Sequence, residues 1–255
     1  MFNAEVGKMK KQVHYLLAIA LVLGFTAPVG AQEKGPNDWK YGIALYLWGT
    51  GIEGTSQIGP ASAPVDISFS DALDNLSSAL MLHFEAQKNR WGFLVDYMHV
   101  GLDPEASLSN GASLTLDTTN NIFDVAGLYQ ATENFQVLLG LRFTKFELEG
   151  TVPGVASRTI ADESWTDGFI GGRFLVPFGS SEKWRFRARA DIGAGDSDLV
   201  WNAVLGIDYR FSNRVAGLLG YRWLDYDYDN GKSGADRFGY DVTYEGPAAA
   251  VVFNW

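Results

Sequence analysis

This sequence predicts an all-β fold, a transmembrane antiparallel up-and-down β-barrel of about ten strands, on three observations. From Trp39 onward apolar and polar residues alternate with period two, in segments separated by Gly, Asn, Asp and Ser, and helical spacing is nearly absent. One face of such a segment is wholly apolar, as with Phe135, Val137, Leu139, Leu141 and Phe143, while the other carries Gln136, Arg142 and Thr144. Aromatic residues gather at the segment ends, where a ring can sit half in lipid and half in water.

The elements follow in order. Lys8, Lys10 and Lys11 precede an apolar run from Tyr15 to Phe25 and then Val29-Gly30-Ala31, which reads as a signal peptide over residues 1–31, with Met9 an equally good start. The run is shorter than the ~20 residues a spanning helix needs, and none like it follows. Residues 32–255 then form the barrel domain, with strands expected at 39–49, 77–88, 91–101, 113–131, 135–149, 165–177, 184–195, 199–211, 214–226 and 237–255. Eight strands is the alternative count. Asn89-Arg90, Thr132-Glu133-Asn134, Gly179 to Lys183 and Ser212-Asn213 are tight turns, and the connections between them are mostly longer and polar. Short periplasmic turns alternating with longer external loops are the barrel pattern, and an even strand count returns both termini to the periplasm.

Beside the short turns sit Trp39, Trp91, Tyr129, Phe135, Phe178, Trp184, Tyr209, Phe211 and Trp255, one expected girdle. Tyr97, Phe143, Trp165, Trp201, Tyr221, Trp223 and Tyr240 form the expected second one. The last strand ends on Val251-Val252-Phe253-Asn254-Trp255, which resembles the C-terminal signal handed to the barrel assembly machinery, with Phe253 and Trp255 as its recognition residues. Gly246-Pro247 interrupts that strand and is read as a bulge that turns Asp241, Thr243 and Glu245 inward while Val251, Phe253 and Trp255 face lipid. Closure is physically required, because an unpaired backbone group in hydrocarbon costs several kcal/mol.

Composition narrows the function. The chain carries 20 basic and 30 acidic residues, a formal charge of −10, and loss of the leader takes away three lysines and one glutamate. Such acidity argues against nucleic acid as a partner. Cysteine is absent, so an exported domain of this size forgoes disulfides. Neither a linker nor a low-complexity tract suggests a second domain.

Three stretches, Ile67-Ser68-Phe69-Ser70-Asp71-Ala72-Leu73-Asp74-Asn75-Leu76, His83-Phe84-Glu85-Ala86-Gln87-Lys88-Asn89-Arg90-Trp91-Gly92, and Gly220-Tyr221-Arg222 with Gly246-Pro247, resemble a family of uncharacterised Gram-negative outer-membrane barrel proteins, loosely akin to small porins. The resemblance covers most of the chain beyond the leader. It implies the barrel fold and an outer-membrane location among lipid and lipopolysaccharide, and it supplies no catalytic motif, no cofactor and no oligomeric state.

Four constellations remain. With the apolar faces toward lipid, the lumen receives Lys40, His83, Glu85, Asp96, Asp124, Arg142, Arg173, Arg185, Arg187, Arg189, Asp191, Asp208, Arg210 and Arg222. In a bore this narrow the structural reading is an ion-pair core, and the functional one is a constricted pore whose Arg185, Arg187 and Arg189 ladder favours anions. In the first external loop, Ser68 or Ser70 caps a short helix that either plugs the mouth or packs on the rim. Asp225, Asp227 and Asp229 space three carboxylates as a calcium loop does, but Gly231 falls one place late and Asp236 stands where a glutamate belongs. An acidic hairpin is the plainer reading. Finally His99, at an external strand end, can serve as a base beside Ser107 or Ser109 in a lipid-modifying enzyme, although nothing in the spacing compels it.

Overall fold

In the computed structural model, described for residues 38–107, 113–181 and 183–255, the chain folds into β1 (Lys40–Trp48), β2 (Gly51–Ile58), β3 (Ala61–Ile67), α1 (Phe69–Asp74), β4 (Leu76–Lys88), β5 (Trp91–Leu102), β6 (Glu105–Ser107), β7 (Ser113–Gln130), β8 (Phe135–Thr151), β9 (Arg158–Phe178), β10 (Trp184–Gly195), β11 (Leu199–Arg210), β12 (Val215–Asp229) and β13 (Phe238–Asn254). Residues 1–37, where the signal peptide is expected, lie outside the described residues. Ten strands, β1, β4, β5 and β7 to β13, close an antiparallel barrel, with β13 returning to β1 from Gly42↔Asn254 to Trp48↔Ala248. All ten expected strands are present. The seam is clamped at the turn side by Tyr41 and Trp255, which exchange backbone hydrogen bonds of 2.9 and 3.1 Å and stack their rings with centroids 5.8 Å apart.

The segment expected as the first external loop is instead a continuation of the wall. β1 and β2 keep one register against β13, since Gly51↔Glu245 follows directly from Trp48↔Ala248. They act as one long strand interrupted at Gly49-Thr50, opposite Gly246-Pro247. β3 and β4 are likewise halves of one strand. Extending the Leu45↔Leu82 register of β1 and β4 upward would set Asn75 opposite Ile52, yet Ile67 stands there. Eight residues have therefore been expelled from the ladder, and they form α1 with its flanks. Ser68 caps that helix, donating to and accepting from Asp71 in a capping box. The helix lies between β3 and β4 in the chain, with Ala72 in the buried cluster that also holds Trp48, Ile52 and Met81, and with Phe69 and Leu73 exposed.

Side-chain direction alternates around the ring. Leu47, Phe93, Phe123, Leu139, Leu141, Phe143, Ile170, Phe174, Phe186, Ile192, Leu205, Ile207, Leu219 and Val251 all stand exposed on the outer wall. A soluble protein of this size rarely exposes so continuous an apolar surface, so this belt is the lipid-facing one. Below it the expected turn-side girdle is present, with Trp91 against Tyr129 at 4.7 Å and Trp184 against Tyr209 at 4.5 Å between ring centroids.

Above the belt the polarity inverts, and two expectations fail for that one reason. Trp165 and Tyr240 are not girdle residues but lie buried inside, 2% and 4% exposed. Nor is there a bulge at Gly246-Pro247: β12 and β13 pair without a slip from Val215↔Phe253 to Asp229↔Gly239. Asp241, Thr243 and Glu245 share the outward face with Val251 and Phe253 but stand above the belt, paired to β2, where the wall meets water. Gly246 is needed because a Cβ there would strike the Gly49 carbonyl where the two interrupted strands face each other.

Candidate functional site

The inward-facing side chains of the described residues lie in layers. Nearest the short turns, Arg173 grips Glu85 with two 2.8 Å bonds and donates through Nε to Gln136 Oε1 at 2.8 Å, beside Gln87 and Gln130. Leu94, Leu128 and Leu138 pack against Ala126 and Phe169 at the same end.

The middle layer is ionic. Arg142, with no solvent exposure, donates Nε and Nη2 to the two oxygens of Asp124 at 2.8 Å each, reaches Asp191 at 3.2 Å, and lies 5.2 Å from the centre of the Phe169 ring. The strand neighbour makes room for this: a Cβ at Gly140 would come within 2.7 Å of that ring. Arg189 adds a 2.8 Å bond to Asp191, which also accepts from Asn202 at 2.8 Å. Arg222 donates to Asn202 at 3.0 Å and stacks 4.6 Å from the Trp48 ring centre, while Asp96 accepts from Tyr46 at 2.7 Å and faces His83 at 2.9 Å.

Arg185 and Arg187 both converge on Asp208, at 2.6 and 2.9 Å. Every rung of the arginine ladder thus has a carboxylate within 3 Å, which removes much of the unbalanced positive field an anion filter needs. The bidentate, desolvated pair of Arg142 and Asp124 holds interior charge in a fixed position.

Over the ionic layer sits an aromatic cap that alternation alone did not reveal. Trp165 stacks on Tyr228 at 4.3 Å and meets Tyr226 edge-on at 5.6 Å, and Phe146 approaches Tyr240 at 5.0 Å between centroids. The hydroxyls are used: Tyr226 bonds Thr144 at 2.9 Å, Tyr244 accepts from Asn120 at 2.5 Å, and Tyr240 bonds Tyr244. Tyr226 and Tyr228 share the parity of the inward Arg222, whereas the expected bulge at Gly246-Pro247 set Tyr240 and Tyr244 outward.

The acidic series lies on a strand. Asp225, Asp227 and Asp229 alternate along the outward face of β12, so consecutive carboxylates start roughly 6.5–7 Å apart and do not converge on one ion. Among the described residues no group of His, Asp or Glu is arranged for a metal. Burial and the neighbouring carboxylates of Asp241, Asp198, Asp225 and Asp229 push the Asp227 carboxyl up from its ordinary range. The backbone N–H of Gly231 and the Arg237 guanidinium hold that of Asp229 down.

His99 points outward at the top of the belt. It does not meet the serines expected for it: Ser109 lies outside the described residues, and Ser107 ends β6 paired to Ser113. Its partners come from the adjacent strands, Ser78 Oγ at 2.9 Å from Nε2 and Asn121 Oδ1 at 2.9 Å from Nδ1.

A closed antiparallel ring with an apolar outer belt and a turn-side aromatic girdle defines the class: a transmembrane β-barrel of the outer-membrane type. No family model matches the sequence, and no curated protein matches it. Solved structures do resemble the fold. They include the outer membrane protease OmpT from Escherichia coli (8% identity over 89% of this chain and all of that one, TM-score 0.46). Ail, the attachment invasion locus protein of Yersinia pestis, is similar at 9% identity over 85% and 98% of the two chains, with a TM-score of 0.35. The translocator domain of the autotransporter NalP from Neisseria meningitidis is similar at 13% identity over 98% and 97%, with a TM-score of 0.37. The likeness concerns the fold, and no activity transfers with it.

Proposed function

We propose that the chain is an envelope-structural, porin-like barrel of the Gram-negative outer membrane whose lumen is a solid core and whose working surfaces are its outer wall and rim. The observation that carries this reading is Arg142, wholly desolvated, held bidentately by Asp124 and roofed by the Trp165 and Tyr226 cap. Ion pairs and aromatic stacks filling the bore supply the rigidity that a soluble protein draws from its apolar centre. Lipid and lipopolysaccharide are the partners that the belt and the wall above it address, and the barrel assembly machinery delivers the chain through its last strand.

Conductance in planar bilayers tests the reading. The refolded protein should insert without steady single-channel current even at high protein load. A steady, anion-preferring current whose selectivity reverses in Arg187→Glu would overturn it in favour of a narrow channel.

A further inference from the structure

We propose that Ser78, His99 and Asn121 form a serine-hydrolase site on the outer wall, acting on acyl esters of membrane lipids. The three side chains come from β4, β5 and β7, three consecutive strands of the ring. Each points outward by the parity of its strand. They chain together in the order that nucleophilic catalysis requires, a nucleophile in reach of a base and the base in reach of an orienting group. An amide oxygen accepts and cannot donate, so Asn121 Oδ1, 2.9 Å from Nδ1, fixes the His99 proton on Nδ1. Nε2 is then a free acceptor, and Ser78 Oγ at 2.9 Å must be its donor. Tyr97 donates to the same Asn121 oxygen at 3.1 Å and steadies it.

The backbone around Ser78 is irregular in ways a plain polar ladder does not need. The β4 and β5 registers slip between Leu76 and Ser78, leaving Ser77 as the extra residue of a bulge. Bulges gather beside active sites because they re-aim a side chain and free a backbone group from the ladder, so the Ser77 backbone is the candidate oxyanion donor. Opposite Ser78 stands Gly101, where a Cβ would come within 2.5 Å of Ser78 Oγ and 2.8 Å of Ser77 Oγ. The glycine clears the space that the serine occupies.

Position names the substrate. One step toward the belt stand Leu80, Phe123 and Phe143, all exposed. On the side of Asn121 away from His99 a cavity of about 320 Å³ opens on the outer wall between Phe123, Phe143, Lys145 and Thr166. The row thus lies where hydrocarbon gives way to headgroups in the outer leaflet, the depth of glycerol and sugar acyl esters. Ser78 Oγ attacks the ester carbonyl carbon as its proton passes to His99 Nε2. Collapse of the tetrahedral oxyanion breaks the C–O bond, and His99 returns the proton to the departing alkoxide as a lipid alcohol. Water then attacks the acyl-serine, again deprotonated by His99, and releases the fatty acid with Ser78 restored.

The test uses the full chain, purified from outer membranes into detergent micelles. Release of fatty acid is followed from 1,2-dioleoylphosphatidylethanolamine in one arm and from hexa-acylated lipid A in the other, with covalent capture by a fluorophosphonate probe read by peptide mass. Hydrolysis in either arm supports the proposal and identifies the ester source. Ser78→Ala and His99→Ala, checked as folded by their unboiled gel mobility, should lose on the order of 10³-fold or more of kcat and should not be labelled. Asn121 acts through His99 as a positioning residue. Asn121→Ala should lower kcat about 10²-fold with KM unchanged, and Asn121→Asp should restore most of it. Gly101→Ala should depress kcat by displacing Ser78 Oγ. Wild-type protein that releases no more fatty acid than Ser78→Ala in both arms, or a probe adduct on a serine other than Ser78, would overturn the proposal.

Discussion

Replacing Arg142 with methionine is the sharpest probe of the ionic layer. The substitution keeps volume but strands Asp124, 1% exposed, without its two 2.8 Å bonds, and takes one of the neutralising groups from Asp191. Arg189 remains 3.7 Å from Asp124 and 2.8 Å from Asp191, so part of the charge stays compensated. Removing one member of a buried pair costs about 3–5 kcal/mol, chiefly by leaving the other unpaired. With a urea slope of about 2–3 kcal/mol/M the midpoint should fall by roughly 1–2 M. Arg142→Met with Asp124→Val removes both charges and leaves Arg189 and Asp191 as a self-contained pair, so most of that loss should return. The assay is the fraction of protein migrating as the compact unboiled band after equilibration in urea and micelles. A single variant within about 0.5 kcal/mol of wild type, or a double variant as weak as the sum of its parts, would show that Arg142 and Asp124 do not stabilise each other.

Other perturbations test other layers. Asp227, whose folded carboxyl titrates above its unfolded value, opposes folding once ionised. Asp227→Asn should therefore raise the unfolding midpoint at neutral pH and make no difference below the unfolded carboxyl range of about 4, as a midpoint-versus-pH series would show. Asp229 has the opposite sign: its stabilisation is present above that range and should be lost as pH falls, so Arg237→Ala should flatten the acid limb of the same series. Trp255→Ala removes the ring stacked on Tyr41 at the seam and should lower the compact fraction recovered from cells, measured by comparing boiled and unboiled samples of membrane and periplasm.

What the sequence disclosed follows from what period two encodes. Alternation at Phe135–Thr144 and Trp184–Ile192 reports which side chains share a face, and in a ring that settles lumen against wall. It does not report height. Trp165 and Tyr240 were legible as strand-end aromatics, but their facing inward depends on the wall rising into water above the belt, where the apolar side reverses. The β2–β3 hairpin was hidden because Gly51, Gly54, Ser56, Gly59 and Pro60 break the pattern, and because the eight-residue expulsion at α1 shows only in the register. The Ser78–His99–Asn121 row was out of reach for the same reason: its members are 21 and 22 residues apart, and only the alignment of β4, β5 and β7 sets them at one level.

A chain without cysteine allows the closed wall, with lipid outside and packed side chains within, to be read residue by residue along β8. Single cysteines at positions 138 to 144, labelled with an environment-sensitive fluorophore or challenged with a membrane-impermeant thiol reagent, should split by parity. Leu139→Cys, Leu141→Cys and Phe143→Cys should be quenched by nitroxide lipids, while Leu138→Cys and Thr144→Cys should resist both the lipid quencher and the aqueous reagent in the folded barrel. Quenching without period two, or rapid aqueous labelling at 138 and 144, would contradict the filled barrel at its centre.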